Sequence, residues 1–137
     1  MNLLDTDTLS LLMAGHLLVT KRAEKAGSLA IPIVARIEVL QGRFASILKA
    51  EDGERLWRAQ QYLTKSEEYI SDLKIVRVNE ASAEQFDLLR KDRKLKKLGR
   101  ADLLIASIVL AHRATLVTRN LRHFRQIPGL NTENWAD

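Results

Sequence analysis

Residues 99–120 read Gly-Arg-Ala-Asp-Leu-Leu-Ile-Ala-Ser-Ile-Val-Leu-Ala-His-Arg-Ala-Thr-Leu-Val-Thr-Arg-Asn. Residues 101–112 are apolar on almost every side, which predicts a buried helix. Residues 115–118 follow as a strand, and 121–126 as a short basic helix. A buried helix running straight into a short apolar strand is the signature of a layered α/β fold.

The rest of the chain extends that alternation in both directions. Upstream, 82–97 reads as a basic helix with Phe86, Leu89 and Leu95 inward, ended by Gly99, and 74–78 alternates like a strand. Residues 54–73 form a long amphipathic helix carrying Leu56, Trp57, Leu63, Tyr69 and Ile70. Residues 35–50 are helical, with Ile37, Leu40, Phe44, Ile47 and Leu48 on one broad apolar face. Before them, 29–34 reads as a strand in which Pro32 marks an edge, a kink or an early exit. Residues 16–26 are a short helix closed by Gly27. At the start, 2–5 is a strand ending in Asp5, after which Thr6 or Asp7 caps a helix with Leu9, Leu12 and Met13 inward. Downstream, Pro128-Gly129 turns into a tail ending near Trp135. Strands separated by helices predict right-handed crossovers and a parallel sheet of four to five strands, flanked by helices on both faces. Ligands of such sheets lie at the carboxyl ends of the strands.

At 137 residues the chain is predicted to be one domain, 1–137, large enough for a proper core. With no cysteine, disulfides, thiolate catalysis and cysteine zinc sites are excluded. The longest strongly apolar run falls far short of the ~20 residues that span a bilayer, and the start is acidic where a signal peptide is basic. The expectation is a cytoplasmic protein without a membrane segment.

The net charge of +5 is unevenly placed. Residues 1–70 hold 9 basic and 9 acidic groups, while 71–137 hold 13 and 8. Between Arg90 and Arg125, 11 basic residues face only Asp92 and Asp102. Such a stripe fits a phosphate-rich partner, and it equally fits a solvated helix face.

Three carboxylates stand among apolar neighbours: Asp5 at a strand end, Glu38 in Ile-Val-Ala-Arg-Ile-Glu-Val-Leu, and Asp102 at the start of the most apolar helix. Parallel crossovers would bring all three to one edge of the sheet. Asp5 and Asp102 have an ordinary reading too, as helix caps. Glu38 resists it, because a carboxylate in an apolar helix start is costly unless paired. Three acids in one crevice repel and call for a cation, and oxygen donors suit Mg²⁺ or Mn²⁺ rather than zinc. A carboxylate-held Mg²⁺ beside a basic stripe suits phosphodiester hydrolysis. His16, His112 and His123 are scattered and read as structural, and Trp57 and Trp135 as core or interface residues.

Several segments together resemble PIN domains, most nearly VapC-type ribonuclease toxins of toxin–antitoxin pairs. These are Leu3-Leu4-Asp5-Thr6-Asp7; Glu38 with Gly42; Gly99 through Ala106; Ala114 through Asn120 with Phe124; Pro128-Gly129-Leu130; and Glu133-Asn134-Trp135. The resemblance implies a Rossmann-like sheet and an Mg²⁺- or Mn²⁺-dependent endoribonuclease whose acidic triad is Asp5, Glu38 and Asp102. Thr118 and Asn120 fall where the family has a polar pair, often with a fourth acid, so Asn120 departs from the pattern. Pro32 and Ala35 stand where relatives often have Ser or Thr before the Glu. The basic residues matching an RNA-contacting role are Lys97, Arg100, Arg119 and Arg122. A homodimer and a VapB-like antitoxin are implied as partners. Two other readings compete: a catalytically silent PIN-like module that binds RNA or protein, and a haloacid-dehalogenase-like phosphatase using Asp5 and Asp7 in Asp5-Thr6-Asp7-Thr8-Leu9.

Overall fold

The computed structural model describes residues 1–137. Its elements run β1 (Asn2–Leu4), α1 (Thr6–Met13), α2 (Leu17–Lys25), β2 (Leu29–Pro32), α3 (Ile33–Lys49), α4 (Gly53–Ser71) and β3 (Lys74–Val76). Then follow α5 (Glu80–Lys91), a 3₁₀ turn (Arg93–Leu95), α6 (Arg100–Ala111), β4 (Thr115–Val117), α7 (Leu121–Phe124) and β5 (Asn131–Glu133). The five strands form one sheet in the order β3-β2-β1-β4-β5, and every pairing is parallel. The chain builds outward from β1 to one side and then returns to build the other, so the switch point lies between β1 and β4.

Strand alternation divides the core in two. Leu3, Ala30 and Leu116 pack with α5 and α6, together with Phe124 and Ile127. Leu4, Ile31 and Val117 point the other way, onto Leu9, Leu12, Val19, Val39 and Ile70 of α1–α4 and onto Trp135. The helix over 101–112 is as buried as its sequence demands: Ile105, Ala106, Ser107, Ile108 and Val109 have 2% exposure or less. Ser107 returns its hydroxyl to the Leu103 carbonyl at 2.6 Å, so its polarity costs little there.

Four details differ from the sequence reading, each for a local reason. The second strand stops at Pro32, not residue 34. It is an interior strand, and the early exit is what Pro32 produces: it becomes the N-cap position of α3. The basic stretch 82–97 is not one helix. Asn79 and Ser82 form a reciprocal capping box that starts α5 earlier, and Asp92 ends it and caps the 3₁₀ turn through the Lys94 amide. The tail contains β5, whose Asn-Thr-Glu carries no apolar alternation and is held by pairing with β4. The broad face of α3 is not buried as a face: Val34, Ala35 and Val39 go inward, while Ile37, Phe44 and Leu48 are exposed. Trp135 is core, whereas Trp57 is 63% exposed.

The capping box yields a direct check. Asn79→Ala removes the acceptor for the Ser82 amide, now 2.8 Å away, and should cost about 1 kcal/mol in urea unfolding with an unchanged m-value.

Candidate active site

The amide of Asp5 donates to the Val117 carbonyl at 3.0 Å, which ties the residue leaving β1 to the end of β4. Asp5 is itself the N-cap of α1, in place of Thr6 or Asp7: its Oδ1 accepts from the Thr8 amide at 2.9 Å. The ordinary cap reading is thus fulfilled, yet a surface cap would not be 8% exposed. Burial pushes the Asp5 carboxyl above its usual range. Hydrogen bonding from Thr118 and Thr8 opposes that rise, and the charge of Asp7 adds to it. The Thr8 hydroxyl is a buried polar atom with no hydrogen-bond partner.

Thr118 is fully buried beside β4. Its amide donates to the Glu133 carbonyl at 2.9 Å, and its hydroxyl accepts from the Asn120 amide at 3.0 Å. That bond folds the chain into α7. Asn120 occupies the N-cap position of α7 with no side-chain cap bond and is exposed.

Glu38 lies in the second turn of α3, brought there by the early end of β2. The Thr6 hydroxyl donates to its Oε1 at 2.5 Å. Since Thr6 adjoins Asp5, this bond anchors Glu38 beside the Asp5 turn. Asp102 sits in the first turn of α6 but does not cap it; Gly99 is the N-cap, with no side-chain bond. Instead Asp102 Oδ2 accepts from Nε2 of His123, 2.8 Å away on α7.

The predicted acids therefore all stand at the carboxyl edge of the sheet or on helices that start there, each with its own neutral or imidazole donor. They do not converge: no group of three or more Asp, Glu or His side chains reaches metal-ligand spacing. The four basic residues expected to touch RNA differ in setting. Arg100 shares an open cavity of about 620 Å³ with Glu38, walled by Val34, Phe86 and Leu104. Arg119 makes an exposed ion pair with Asp137 at 3.8 Å. Lys97 and Arg122 are exposed.

His16 and His112 serve structure, as expected: His16 Nδ1 accepts from the Val19 amide, and His112 lies against the Ile108 carbonyl. His123 instead bonds across elements, to Asp102 of α6. Nothing near it in sequence signals its role, because its partner lies 21 residues away.

This geometry defines a class, a Rossmann-like parallel sheet with a buried acid at its switch point and further acids along the same edge. A model of the PIN domain matches residues 3–130, and the chain belongs to the PIN-domain family. Over 80 residues it is 38% identical to ribonuclease VapC2 of Rickettsia felis, and that match spans 57% of this chain and 60% of that relative. Among solved structures, VapBC2 of Rickettsia felis, bound to a DNA fragment from their promoter, is 28% identical over 98% of both chains, with a TM-score of 0.78. DNA-bound VapBC from Salmonella typhimurium, at 24% identity, covers 98% of this chain and 97% of its own with a TM-score of 0.78, a likeness of fold.

The Asp5 shift has a definite sign for stability. Its folded pKa lies above the unfolded value, so the folded state is penalised as pH rises through that interval and carries no penalty below it. Asp5→Asn keeps an acceptor for the Thr8 amide and removes the buried charge. In metal-free buffer it should melt a few degrees above wild type at pH 7, and the gain should vanish near pH 3. Scanning calorimetry at the two pH values checks both parts.

Proposed function

We propose that this chain, acting as a single domain, is a divalent-metal-dependent endoribonuclease and the toxin of a VapB–VapC-type pair. The observation that carries this reading is the Asp5 carboxylate. It is nearly buried at the β1/β4 switch point, with the Thr8 and Thr118 donors around it and Glu38 anchored next door.

The donor set fits a hard cation. It offers oxygens, with no thiol in the chain. The orphaned Thr8 hydroxyl is a polar atom suited to a water or a hydrated ion beside Asp5. Mg²⁺ usually keeps several waters and takes one or two carboxylates plus substrate phosphate, so acids that do not converge into a closed cage are compatible with it. Asp5 would hold the ion, with Glu38 and Asp102 contributing directly or through water. A bound Mg²⁺ or Mn²⁺ would supply charge stabilisation on the scissile phosphate and an acidified water.

The residues of the chain divide the remaining work. Thr118 and the Thr8 amide keep Asp5 oriented and favour its charged form. Thr6 fixes one oxygen of Glu38 and leaves the other free. Asn120, exposed and without a side-chain cap bond, would donate to a substrate oxygen. Arg100, Arg119, Arg122 and Lys97 hold flanking phosphates of RNA, with the modest grip of exposed charges. A VapB-like antitoxin and a second copy of the chain are the proposed partners. Exposed Ile37, Phe44 and Leu48 on α3, with Trp57 and Tyr62 on α4, support this, since a solitary protein gains nothing by showing them to water. Residence in the cytoplasm, where tRNA, rRNA and mRNA are found, completes the reading, and no helix is long and apolar enough to cross a membrane.

The non-converging acids and the Asn120 departure favour a second reading, a PIN-like module that binds RNA without cutting it. The phosphatase reading loses support, since Asp7 is exposed in α1 and the chain belongs to the PIN family.

Cleavage of an end-labelled structured RNA with Mg²⁺ or Mn²⁺ separates these readings. Wild type should cut, excess EDTA should stop it, and Glu38→Gln should cut at least 100-fold more slowly. Gln keeps an acceptor for Thr6, so its melting temperature should stay close to wild type. RNA binding without cutting in Mn²⁺ would establish the silent module instead. In binding titrations on single strands, Arg119→Ala and Arg122→Ala should each lower the salt slope by roughly 0.7 for every phosphate the variant no longer neutralises. An unchanged slope would remove that residue from the RNA surface.

A further inference from the structure

We propose that His123 is a positioning residue for Asp102, fixing one carboxylate oxygen so that the other is presented to a divalent cation. The inference rests on the metal reading above and adds a residue to it. A carboxylate in the first turn of a helix has a competing option, turning back to the free backbone amides of its own helix start. Gly99 supplies no side chain to occupy those amides. Yet Asp102 points across to α7, and its Oδ2 lies 2.8 Å from His123 Nε2. An ionised carboxylate oxygen only accepts, so Nε2 carries the hydrogen and Oδ1 is left uncommitted.

The imidazole is itself held. Its ring stands edge-on to Phe124, with centroids 5.2 Å apart and planes at 86°, and Phe124 is a core residue with 2% exposure. The His123 side chain is 25% exposed against 39% for Asp102, so the anchor is the better sheltered of the two. His123 also closes a short circuit. Asn120 holds the N-cap position of α7, and its amide is bonded to Thr118 beside Asp5. The Asp102 carboxylate is thereby fixed relative to the same turn that supports Asp5. Partners of this kind, one bond out from a metal ligand, typically change metal affinity 10–100-fold when removed.

The test is Mn²⁺ binding by calorimetry on the metal-free full chain, without RNA, in wild type, His123→Asn, His123→Gln and Asp102→Asn. Both amides at 123 are polar and no larger than the imidazole, so both variants should fold, and circular dichroism checks that they do. Gln reaches Asp102 with its amide N–H, whereas Asn is too short. His123→Asn should bind Mn²⁺ 10–100-fold more weakly, with His123→Gln within a few-fold of wild type. Wild-type affinity in His123→Asn would overturn the inference, as would an equal loss in Asn and Gln. Undiminished binding by Asp102→Asn would instead remove Asp102 from the metal reading, a failure separable from that of His123.

Discussion

The 3.0 Å bond from the Asp5 amide to the Val117 carbonyl joins the ends of β1 and β4, which sequence separates by more than a hundred residues. It forms where the strand order turns, the one place in a doubly wound sheet where two helices leave in opposite directions and open a crevice. Its consequences spread from there. Asp5 must begin α1, so its carboxylate takes the Thr8 amide; Thr118 must lie alongside, so its hydroxyl faces the same acid. Losing the β1–β4 register by one residue would exchange the faces of Leu3 and Leu4, and with them the two cores.

Burying a carboxylate there is expensive, and the same desolvation pushes its pKa upward. The molecule answers with hydroxyl, amide and imidazole donors. Thr118 and Thr8 serve Asp5, Thr6 serves Glu38 and His123 serves Asp102. None of the three acids is in an ion pair with Lys or Arg, although the chain has 22 such residues. A guanidinium on Asp5 would relieve the burial and also use up the charge. Hydroxyl and imidazole donors orient a carboxylate while leaving most of its negative potential in place.

What could be read in the sequence follows from where its polarity conflicts with its surroundings. Asp5, Glu38 and Asp102 were legible because each interrupts an apolar run, and the buried α6 and the parallel order because periodicity and alternation agree there. His123 was invisible: it sits in Leu-Arg-His-Phe-Arg, where a basic residue conflicts with nothing, and its meaning arises only when α7 packs beside α6. β5 was hidden for the converse reason, as an edge strand supported by backbone pairing on one side. The α3 face misled, since a stripe of Ile37, Phe44 and Leu48 reads as core to any rule that knows the helix and not its neighbours. The Asn79 cap went unread because Ser82 plays the part usually taken by Glu or Gln.

The net charge of +5 takes on a different meaning in this setting. Arg90 through Arg100 carries seven cations, and none of them is in an ion pair with an acid of the chain. The three acids and these seven bases do not neutralise each other in the fold. Asp5 stands at the start of α1, Glu38 on α3 and Asp102 on α6, and of the seven bases Arg100 lines the same cavity as Glu38. Salt bridges between the two sets would stabilise little at exposed positions. Under the proposed function, keeping them apart leaves two complementary demands, for a small cation among the acids and for phosphate at the bases. A polyanion bringing its own metal-coordinating oxygens would meet both at once.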